Sequence, residues 1–185
     1  SKGTKCVRLN NQDFTDFTKT LRFIVEYIST GSFKSVYLLK ENDLNELKKI
    51  NFQPVKIEKI YCFCDFGGRL DHAISNLNSL YDESVNDVRT YIVSSESITF
   101  LLKQGKNKIL ISNEDFCGKY CGFFPIGSES RVTTSGFKWN LNDKLMSFGS
   151  IISSSNEFKF ECENNNENFG LINTENPVLF TMSIV

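Results

Sequence analysis

The amino-acid sequence predicts an α/β domain with a parallel sheet, followed by an antiparallel β-sandwich. This prediction rests on two observations. Residues 56–81 combine an apolar run, a two-glycine turn and a helical apolar period, as in the strand–turn–helix units of α/β proteins. Beyond about Arg89 no helical period recurs, and short strand-like runs follow at close intervals, which is typical of a sandwich. We therefore divide the chain into an α/β domain, residues 1–88, and a β-sandwich, residues 89–185.

Composition narrows the class of protein. The 185 residues carry a formal net charge of −1, so nothing favours a nucleic-acid partner or an anionic membrane. No apolar run approaches the roughly 20 residues that span a bilayer, and residues 1–10 lack the apolar region of a signal peptide. Six cysteines without paired CxxC units, and a single histidine, argue against a zinc site. We expect reduced thiols and a cytoplasmic protein.

The α/β part begins with a short strand at residues 5–10 and a helix from about Phe14 to Ser29. One side of this helix is apolar, with Phe14, Phe17, Leu21, Ile24, Val25 and Ile28. Gln12, Asp16 and Lys19 cluster on the opposite side. The simplest interpretation is an N-cap at Asp13 with a solvated polar face, and the alternative is a ligand site at the start of the helix.

Residues 31–55 are harder to interpret. Leu44, Leu47 and Ile50 favour a helix that begins near Asn42 and ends before Pro54. Residues 32–40 fit either a strand or a helix. The segment carries no recognisable site chemistry.

The central unit starts with an apolar run at residues 57–64, which predicts a strand covered on both faces. Gly67 and Gly68 permit a tight turn close to a ligand. The following helix should pack inward through Ile74, Leu77, Leu80 and Tyr81. Its start offers unpaired N–H groups and the positive end of the helix dipole, which suit phosphate.

The second half contains eight strand-like runs, at residues 90–95, 97–103, 107–112, 120–127, 131–141, 145–155, 158–164 and 178–185. Turn signals separate these runs, among them residues 103–106 and Gly127-Ser128. The Asn-rich tract at residues 164–168 is most simply a polar hairpin loop.

Two charged pairs at helix starts are the candidate chemistry. Arg69 and Asp71 follow the glycine turn, and Asp16 and Lys19 lie at the start of the earlier helix. Helix starts of a parallel sheet lie at its carboxyl edge, so both pairs could face one crevice. Cations neutralise phosphate oxygens and carboxylates hold Mg²⁺ or accept a proton, which is the equipment of phosphoryl-type transfer. Spacing alone leaves open a helix cap for Asp71 and a surface ion pair for Arg69.

Several other enzyme classes are excluded because their motifs are absent from the sequence. No Gly-Lys-Ser/Thr follows the glycines, so the chain is not a P-loop protein. The three-glycine Rossmann fingerprint and a GxSxG motif are also absent.

The β region holds a second candidate site. Residues 136–140 expose the single tryptophan, Trp139, and residues 150–156 string hydroxyls and an amide together. Regular alternation would put Ser153 and Ser155 on one side of a strand. An aromatic ring with small hydrogen-bonding groups suits a heteroaromatic ligand, and the alternative is an edge strand with polar residues outward.

Six segments in order make the chain resemble thiamine pyrophosphokinase of the eukaryotic type. They are NQDFTDFTK, GGRLDH, YCGFFPIG, VTTSGFKWNL, FGSIISSSN and NPVLFTMSI, at residues 11–19, 67–72, 120–127, 132–141, 148–156 and 176–184. The chain departs from the family pattern in a longer insertion at residues 31–55 and in Phe180, where many relatives carry tryptophan.

The resemblance implies an enzyme that transfers the pyrophosphoryl group of ATP to the hydroxyl of thiamine, with Mg²⁺ required and with thiamine diphosphate and AMP as products. It implies a homodimer whose thiamine site lies between subunits. Asp16 would bind metal, and Asp71 would bind metal or orient the thiamine hydroxyl, with Asp71, Arg69 and Asp16 forming the catalytic set. The phosphate-binding residues would be Thr15, Lys19, Gly67, Gly68 and Arg69. The thiamine-binding residues would be Gln12, Ser153, Ser155, Asn156 and Trp139.

Two acidic motifs of the family, Asp-Gly-Gly-Ala-Asn and Gly-Asp-x-Asp-Ser, are missing from these residues. If the chain is complete we expect severely impaired catalysis, because a metal site left with Asp16 and Asp71 would be weak. The alternative function is then a catalytically impaired dimeric module that binds thiamine or nucleotide. A plain structural β-sandwich that binds neither ligand is a third hypothesis.

Overall fold

The computed structural model describes residues 12–31, 53–85, 87–111, 118–159 and 168–184. The chain forms two compact units. The first contains residues 1–60 and 67–89, and the second contains residues 61–66 and 90–185. The predicted strand at residues 5–10 and the predicted elements within residues 32–52 lie outside the described residues. Within the described part of the chain, no helix is long and apolar enough to cross a membrane.

The first described element of the first unit is helix α1, Asp16–Arg22, which continues as a π-helix over Phe23–Ile28. The N-cap is Thr15 and not Asp13, because the Thr15 hydroxyl accepts the Thr18 backbone N–H at 3.2 Å. The predicted apolar side is confirmed at Leu21 and Val25, which are buried.

The prediction of a solvated polar face was wrong for Lys19, whose side chain is buried in spite of its charge. Its ammonium lies 2.7 Å from the carboxylate of Asp16, one turn back along α1. A lysine can bury its aliphatic stem while the charged end reaches a partner at the surface, which is the arrangement found here.

Strand β1, Lys59–Phe63, leads through residues 64–69 to helix α2, Leu70–Ser79, and a 3₁₀ turn at Glu83–Val85. Gly68 adopts a φ of +89°, so the predicted glycine turn requires its freedom. The inward side of α2 is confirmed at Leu80, which is buried, but the prediction was wrong for Ile74, which is 56% exposed. The buried side of α2 is polar at Ser79, because this serine bonds to Thr18 of α1.

The strand covered on both faces was also a wrong prediction. Tyr61 and Phe63 are exposed, while Cys62 and Cys64 are half-buried. Alternate side chains face opposite ways along β1, which is the last of the described strands at one end of its sheet. Tyr61 is partly covered by stacking on Tyr91, with ring centroids 5.0 Å apart.

The strands that follow β1 are β2 Arg89–Val93, β3 Ser97–Leu102, β4 Gly105–Ile111, β5 Cys121–Phe124, β6 Ser130–Ser135, β7 Lys144–Met146, β8 Ser153–Asn156, β9 Asn168–Thr174 and β10 Val178–Ser183. They form a six-stranded sheet, in the order β1-β2-β3-β10-β5-β8, and a four-stranded sheet, in the order β4-β9-β6-β7. The Cys64 N–H donates to the Val93 carbonyl and the Arg89 N–H to the Glu58 carbonyl. Strands β1 and β2 therefore run parallel, in agreement with a mixed sheet.

The predicted sandwich is confirmed by the core of the second unit. Buried side chains from both sheets form one cluster, which includes Leu102, Phe123, Val132, Phe137, Ile172 and Phe180. The ring of Phe180 lies 5.3 Å from the rings of Phe100 and Phe123, and 6.1 Å from that of Phe158, by centroid distance. Residues of both sheets thus share one core, in which these aromatic rings pack together.

Strand β9 was not predicted, and its first residue, Asn168, had been placed in a hairpin loop. The strand lies between β4 and β6 in the four-stranded sheet. Gly170 weakens its apolar pattern, yet packing requires this glycine, since a Cβ there would lie 2.5 Å from the Phe137 ring. Of the predicted strand at residues 158–164, only residues 158 and 159 are described, and Phe158 forms an isolated bridge with Phe137.

Candidate active site

Among the described residues of the first unit, the start of α1 packs against the end of α2. Thr18 Oγ1 lies 2.7 Å from Ser79 Oγ, and one turn later Arg22 Nε donates to Asp82 Oδ2 at 2.6 Å. With a helical rise of about 1.5 Å per residue, Asp71 lies about 12 Å before Ser79 and Asp16 about 3 Å before Thr18. Asp16 therefore lies beside the last turns of α2, about 9 Å along the helix axis from Asp71 at the start of α2.

Arg69 and Asp71 form an exposed, bidentate ion pair at the start of α2. Arg69 Nε donates to Asp71 Oδ1 at 3.1 Å, and Arg69 Nη2 donates to Asp71 Oδ2. These hydrogen bonds hold the pKa of Asp71 below its ordinary value and raise the pKa of Arg69. Within the described chain Arg69 is the N-cap residue of α2, and no side chain caps this helix. Asp71 is therefore not a helix cap, and the structure shows the surface ion pair instead.

Asp16 is the first residue of α1, and its side chain is 99% exposed. The hydrogen bond from Lys19, with the Coulomb attraction of the same ammonium, lowers the pKa of Asp16. The Asp16 carboxylate and the Lys19 ammonium thus form an ion pair at the start of α1. Gln12, also exposed, lies four residues earlier in the chain.

An open groove of about 430 Å³ lies within the first unit. It is lined mainly by polar residues of the two helices and the turn after α2: Asp13, Phe14, Thr15, Thr18, Arg22, Ser75, Asn78, Ser79, Tyr81, Asp82 and Glu83. Thr15 is the one residue of the predicted site that lines it. The hydroxyls and the Arg22–Asp82 pair of this groove were missed from the sequence, since nothing local marks partners about 60 residues apart.

In the second unit, the structure brings Trp139 and Asn156 together. The Asn156 amide donates to the Trp139 carbonyl at 2.8 Å and accepts the Trp139 N–H at 3.2 Å and the Glu157 N–H at 2.9 Å. Asn156 is buried, whereas Trp139 is 53% exposed and lies below the Lys138 ammonium, 4.5 Å from the ring centroid. The buried amide therefore fixes the backbone that presents the ring.

Ser153 and Ser155 lie on β8, the last strand at the other end of the six-stranded sheet. Ser155 is exposed and Ser153 half-buried. The pairs Cys121–Asn156 and Phe123–Ser153 enclose a register shift, with one extra residue in β8. The prediction that Ser153 and Ser155 lie on one side of the strand assumed regular alternation, which this bulge interrupts.

Comparison with known proteins tests the resemblance. The family model described as thiamin pyrophosphokinase, catalytic domain, matches residues 1–92, and the model described as thiamin pyrophosphokinase, vitamin B1 binding domain, matches residues 106–179. The chain belongs to the thiamine pyrophosphokinase family. The two matches follow in chain order and together account for most of the sequence.

Curated relatives carry the same family name. The chain is 44% identical over 92 residues to thiamine pyrophosphokinase 2 of Oryza sativa subsp. japonica, covering 49% of this chain and 33% of the relative. It is 30% identical over 148 residues to thiamine pyrophosphokinase 1 of the same plant, covering 80% and 47%. Thiamine pyrophosphokinase 2 of Arabidopsis thaliana is 35% identical over 119 residues, covering 64% and 41%. The chain thus spans between a third and a half of the length of these relatives.

Solved structures of the family share the fold. The thiamin pyrophosphokinase from Candida albicans has a TM-score of 0.77 at 23% identity, covering 99% of this chain and 66% of that one. The yeast thiamin pyrophosphokinase has a TM-score of 0.73 at 23% identity, covering 97% and 62%. The predicted α/β and β-sandwich architecture is therefore confirmed as that of thiamine pyrophosphokinases.

The residues described here do not enclose a metal by themselves. Among the described ranges, no group of three or more His, Cys, Asp or Glu side chains could hold a metal ion. Mg²⁺ that travels with a nucleotide needs less, since one or two carboxylates, waters and the phosphates themselves complete its shell. Asp16 and Asp71 each present an exposed carboxylate of this kind.

Proposed function

We propose that this protein transfers the pyrophosphoryl group of ATP to the hydroxyl of thiamine, giving thiamine diphosphate and AMP. The observation that carries this proposal is the ordered match of a catalytic and a vitamin B1 binding family model along one chain. The thiamine oxygen attacks the β-phosphorus of ATP, the bond from that phosphorus to the α-β bridging oxygen breaks, and the hydroxyl proton leaves to a base or to solvent. The catalytic domain comprises residues 1–88 and the thiamine-binding domain residues 89–185.

The phosphates are bound at the helix starts of the first unit. Gly67 and Gly68 bring the backbone close to them, and Arg69 exchanges its exposed bond with Asp71 for phosphate oxygens. Such an exchange costs little, because an ion pair in solvent is weak. Lys19 and Thr15 contact the phosphates from the start of α1.

Asp16 and Asp71 hold the Mg²⁺ that accompanies ATP, with Asp71, Arg69 and Asp16 as the catalytic residues. When bound, this ion neutralises charge that builds up on the phosphate oxygens during transfer. Once Arg69 has turned to the phosphates, Asp71 orients the thiamine hydroxyl or binds metal.

Thiamine is bound by Gln12, Ser153, Ser155, Asn156 and Trp139, at a site shared between the subunits of a homodimer. In this proposal Trp139 supplies the aromatic surface and Asn156 acts by holding its backbone. The glutamate beside Asn156, Glu157, lies 3.1 Å from the Lys138 ammonium and offsets its charge near a cationic ligand. The reduced thiols of Cys62 and Cys64 support a cytoplasmic location.

The proposal is tested by a coupled assay for AMP release from ATP, with and without thiamine. We expect AMP to appear only when thiamine is present, together with thiamine diphosphate detected by its oxidised fluorescent product. Binding of thiamine without AMP release would instead identify a catalytically impaired binding module. A chain that binds neither ligand in calorimetry would refute both.

A single substitution separates chemistry from binding. Asp71→Asn keeps the size of the side chain and removes its charge, so we expect kcat to fall on the order of 100-fold while thiamine affinity changes little. A matched control is Asp143→Asn, which removes another exposed carboxylate that is paired with an arginine, Arg131, in the other unit. Equal turnover for both variants would leave Asp71 as half of a surface ion pair.

A further inference from the structure

The polar groove of the first unit has no role in the proposed site apart from Thr15. Its volume of about 430 Å³ is within the range of small-molecule sites. Its lining residues from the second helix and the turn beyond run from Ser75 to Glu83, so the groove lies along the last turns of α2. Thr15, a predicted phosphate-binding residue, lines the same groove. A ligand whose phosphates reach Thr15 can therefore place its remaining part there.

The spacing of the charged pairs favours an elongated ligand. Asp16 lies beside the last turns of α2, and Asp71 lies about 9 Å away along the helix axis. A nucleoside triphosphate is elongated, with its charge at one end and its base at the other. When its phosphates extend toward the start of α2, its nucleoside end lies over the last turns of this helix.

The charges of the groove suit a nucleoside better than a phosphate. Arg22 is the one cation among the described residues that line the groove, and it already forms the buried ion pair with Asp82. Asp13 and Glu83 line the groove as well, and both are exposed. Carboxylates repel phosphates, whereas they accept hydrogen bonds from the hydroxyls of a ribose.

The groove also holds the two kinds of group that bind a nucleobase. Phe14 and Tyr81 line it with aromatic rings, on which flat bases stack. Asn78 lines it too and is exposed, and its amide has a carbonyl that accepts and an NH₂ group that donates. Adenine offers the complementary pair, since its N6 amino donor lies beside the N7 acceptor.

This pairing distinguishes adenine from other purines. Guanine and hypoxanthine carry an oxygen at position 6, so the same edge presents two acceptors to the amide. The carbonyl of Asn78 would then face another oxygen, and one of the two hydrogen bonds would be lost.

We propose that the groove is the nucleoside subsite for ATP and that Asn78 selects adenine. This inference rests on the proposed function for the nature of the ligand. It also gives the ligand a direction, with the base at the last turns of α2 and the phosphates toward Thr15 and Arg69. Asn78 is held close to the helix that carries Thr15, because the neighbouring Ser79 hydroxyl lies 2.7 Å from that of Thr18.

ATP and inosine triphosphate are the probes, because the main difference between them is the exchange of the N6 amino group for an oxygen. Calorimetry without thiamine measures the binding of each nucleotide, with Mg²⁺, to the wild type and to Asn78→Ala. Binding of thiamine alone is measured in the same way. Asn142→Ala is the matched control, because it removes another exposed asparagine, in the second unit.

We expect the wild type to bind ATP about 5- to 100-fold more tightly than inosine triphosphate, the discrimination of one bidentate contact. Asn78→Ala should weaken ATP binding by a similar factor and change inosine triphosphate binding less than about threefold. Asn142→Ala should keep the preference of the wild type. Alanine forms helices better than asparagine, so α2 should be retained in Asn78→Ala, and ellipticity at about 222 nm checks this.

Equal binding of the two nucleotides by the wild type would overturn the proposal, and so would a preference that survives in Asn78→Ala. Equal losses for both nucleotides in Asn78→Ala would overturn it too, since they would give Asn78 a structural role. Weaker thiamine binding with unchanged ATP binding would assign the groove to thiamine instead. Calorimetry needs no turnover, so a chain that forms no AMP refutes the proposed function and still tests the groove. A wild-type chain that binds no ATP refutes the groove proposal outright.

Discussion

The buried ion pair between Arg22 and Asp82 offers a sharp test of how the first unit is stabilised. Each side chain is 10% exposed, and Arg22 Nε lies 2.6 Å from Asp82 Oδ2. Asp82 also accepts the Ser84 N–H at 2.9 Å and the Ser84 hydroxyl at 2.7 Å, while the Arg22 guanidinium lies 4.0 Å from the centroid of the Phe14 ring. The perturbation is Arg22→Met, which keeps much of the stem and removes the charge.

Loss of one partner of a buried pair costs about 3–5 kcal/mol, because the other charge is left uncompensated. Asp82 keeps its two bonds from Ser84, so we expect the lower end, about 3 kcal/mol of the free energy of unfolding. The described α-helices all belong to the first unit, and the assay is therefore urea unfolding followed by ellipticity at about 222 nm. A loss below about 1 kcal/mol would refute the reasoning, since it would equal that of a surface pair.

The pH dependence has a defined sign. Burial raises the pKa of Asp82, but hydrogen bonds from Arg22 and Ser84 outweigh it and hold the pKa below its ordinary value of 3.8. The wild-type pair therefore stabilises the fold above about pH 4, and this contribution disappears as pH falls through the lowered pKa. In Arg22→Met burial prevails and the pKa of Asp82 rises, so the stability lost should shrink between about pH 7 and about pH 4.5.

A constant loss over that pH range would contradict the assignment to a stranded carboxylate. Lys56→Met is the matched control, since it removes a cation from an exposed pair with Glu58, in which the side chains are 85% and 70% exposed. It should leave the urea midpoint unchanged at either pH.

Three further predictions concern the second unit. Phe180→Ala should cost about 3–5 kcal/mol of the free energy of unfolding, because this fully buried ring contacts three others, and Trp139 fluorescence in urea would measure it. Asn156→Ala should shift Trp139 emission to longer wavelength and weaken thiamine binding about 10-fold, by releasing the backbone that presents the ring; an unchanged spectrum would contradict it. Burial raises the pKa of Cys62 to about 11, so its alkylation rate, followed by peptide mass spectrometry, should still be rising above about pH 10, and a plateau near pH 9 would refute this.

Local patterns in the sequence predicted much of the architecture. Alternating and apolar runs indicated the sandwich. The strands β2, β3, β4 and β10 were predicted within two residues of their bounds, and β5 within three. The predictions failed where a tertiary contact outweighed the local sequence pattern. Gly170 disguises β9 because the Phe137 ring needs its space, and Lys19 is buried because Asp16 neutralises it at the rim.

The candidate site also has some features that the sequence predicted and others that only the folded chain shows. Asp16, Arg69 and Asp71 could be named from the sequence, since a helix start is encoded within a few residues. The partners Thr18 and Ser79 are 61 positions apart, and no period or motif connects them. The hydrogen bonds between Asn156 and the Trp139 backbone are likewise a property of the folded chain.

The position of β10 in the six-stranded sheet has a consequence for folding during synthesis. β10 follows all the other described strands in the sequence, yet it lies between β3 and β5 and bonds to both. Neither neighbour can complete its pairing until β10 has been made, about 75 residues after β3. During that interval the edges of β3 and β5 have no partner strand between them, and such edges favour aggregation. We therefore expect yield of this protein to depend on chaperone supply during translation more than on the final stability of the sandwich.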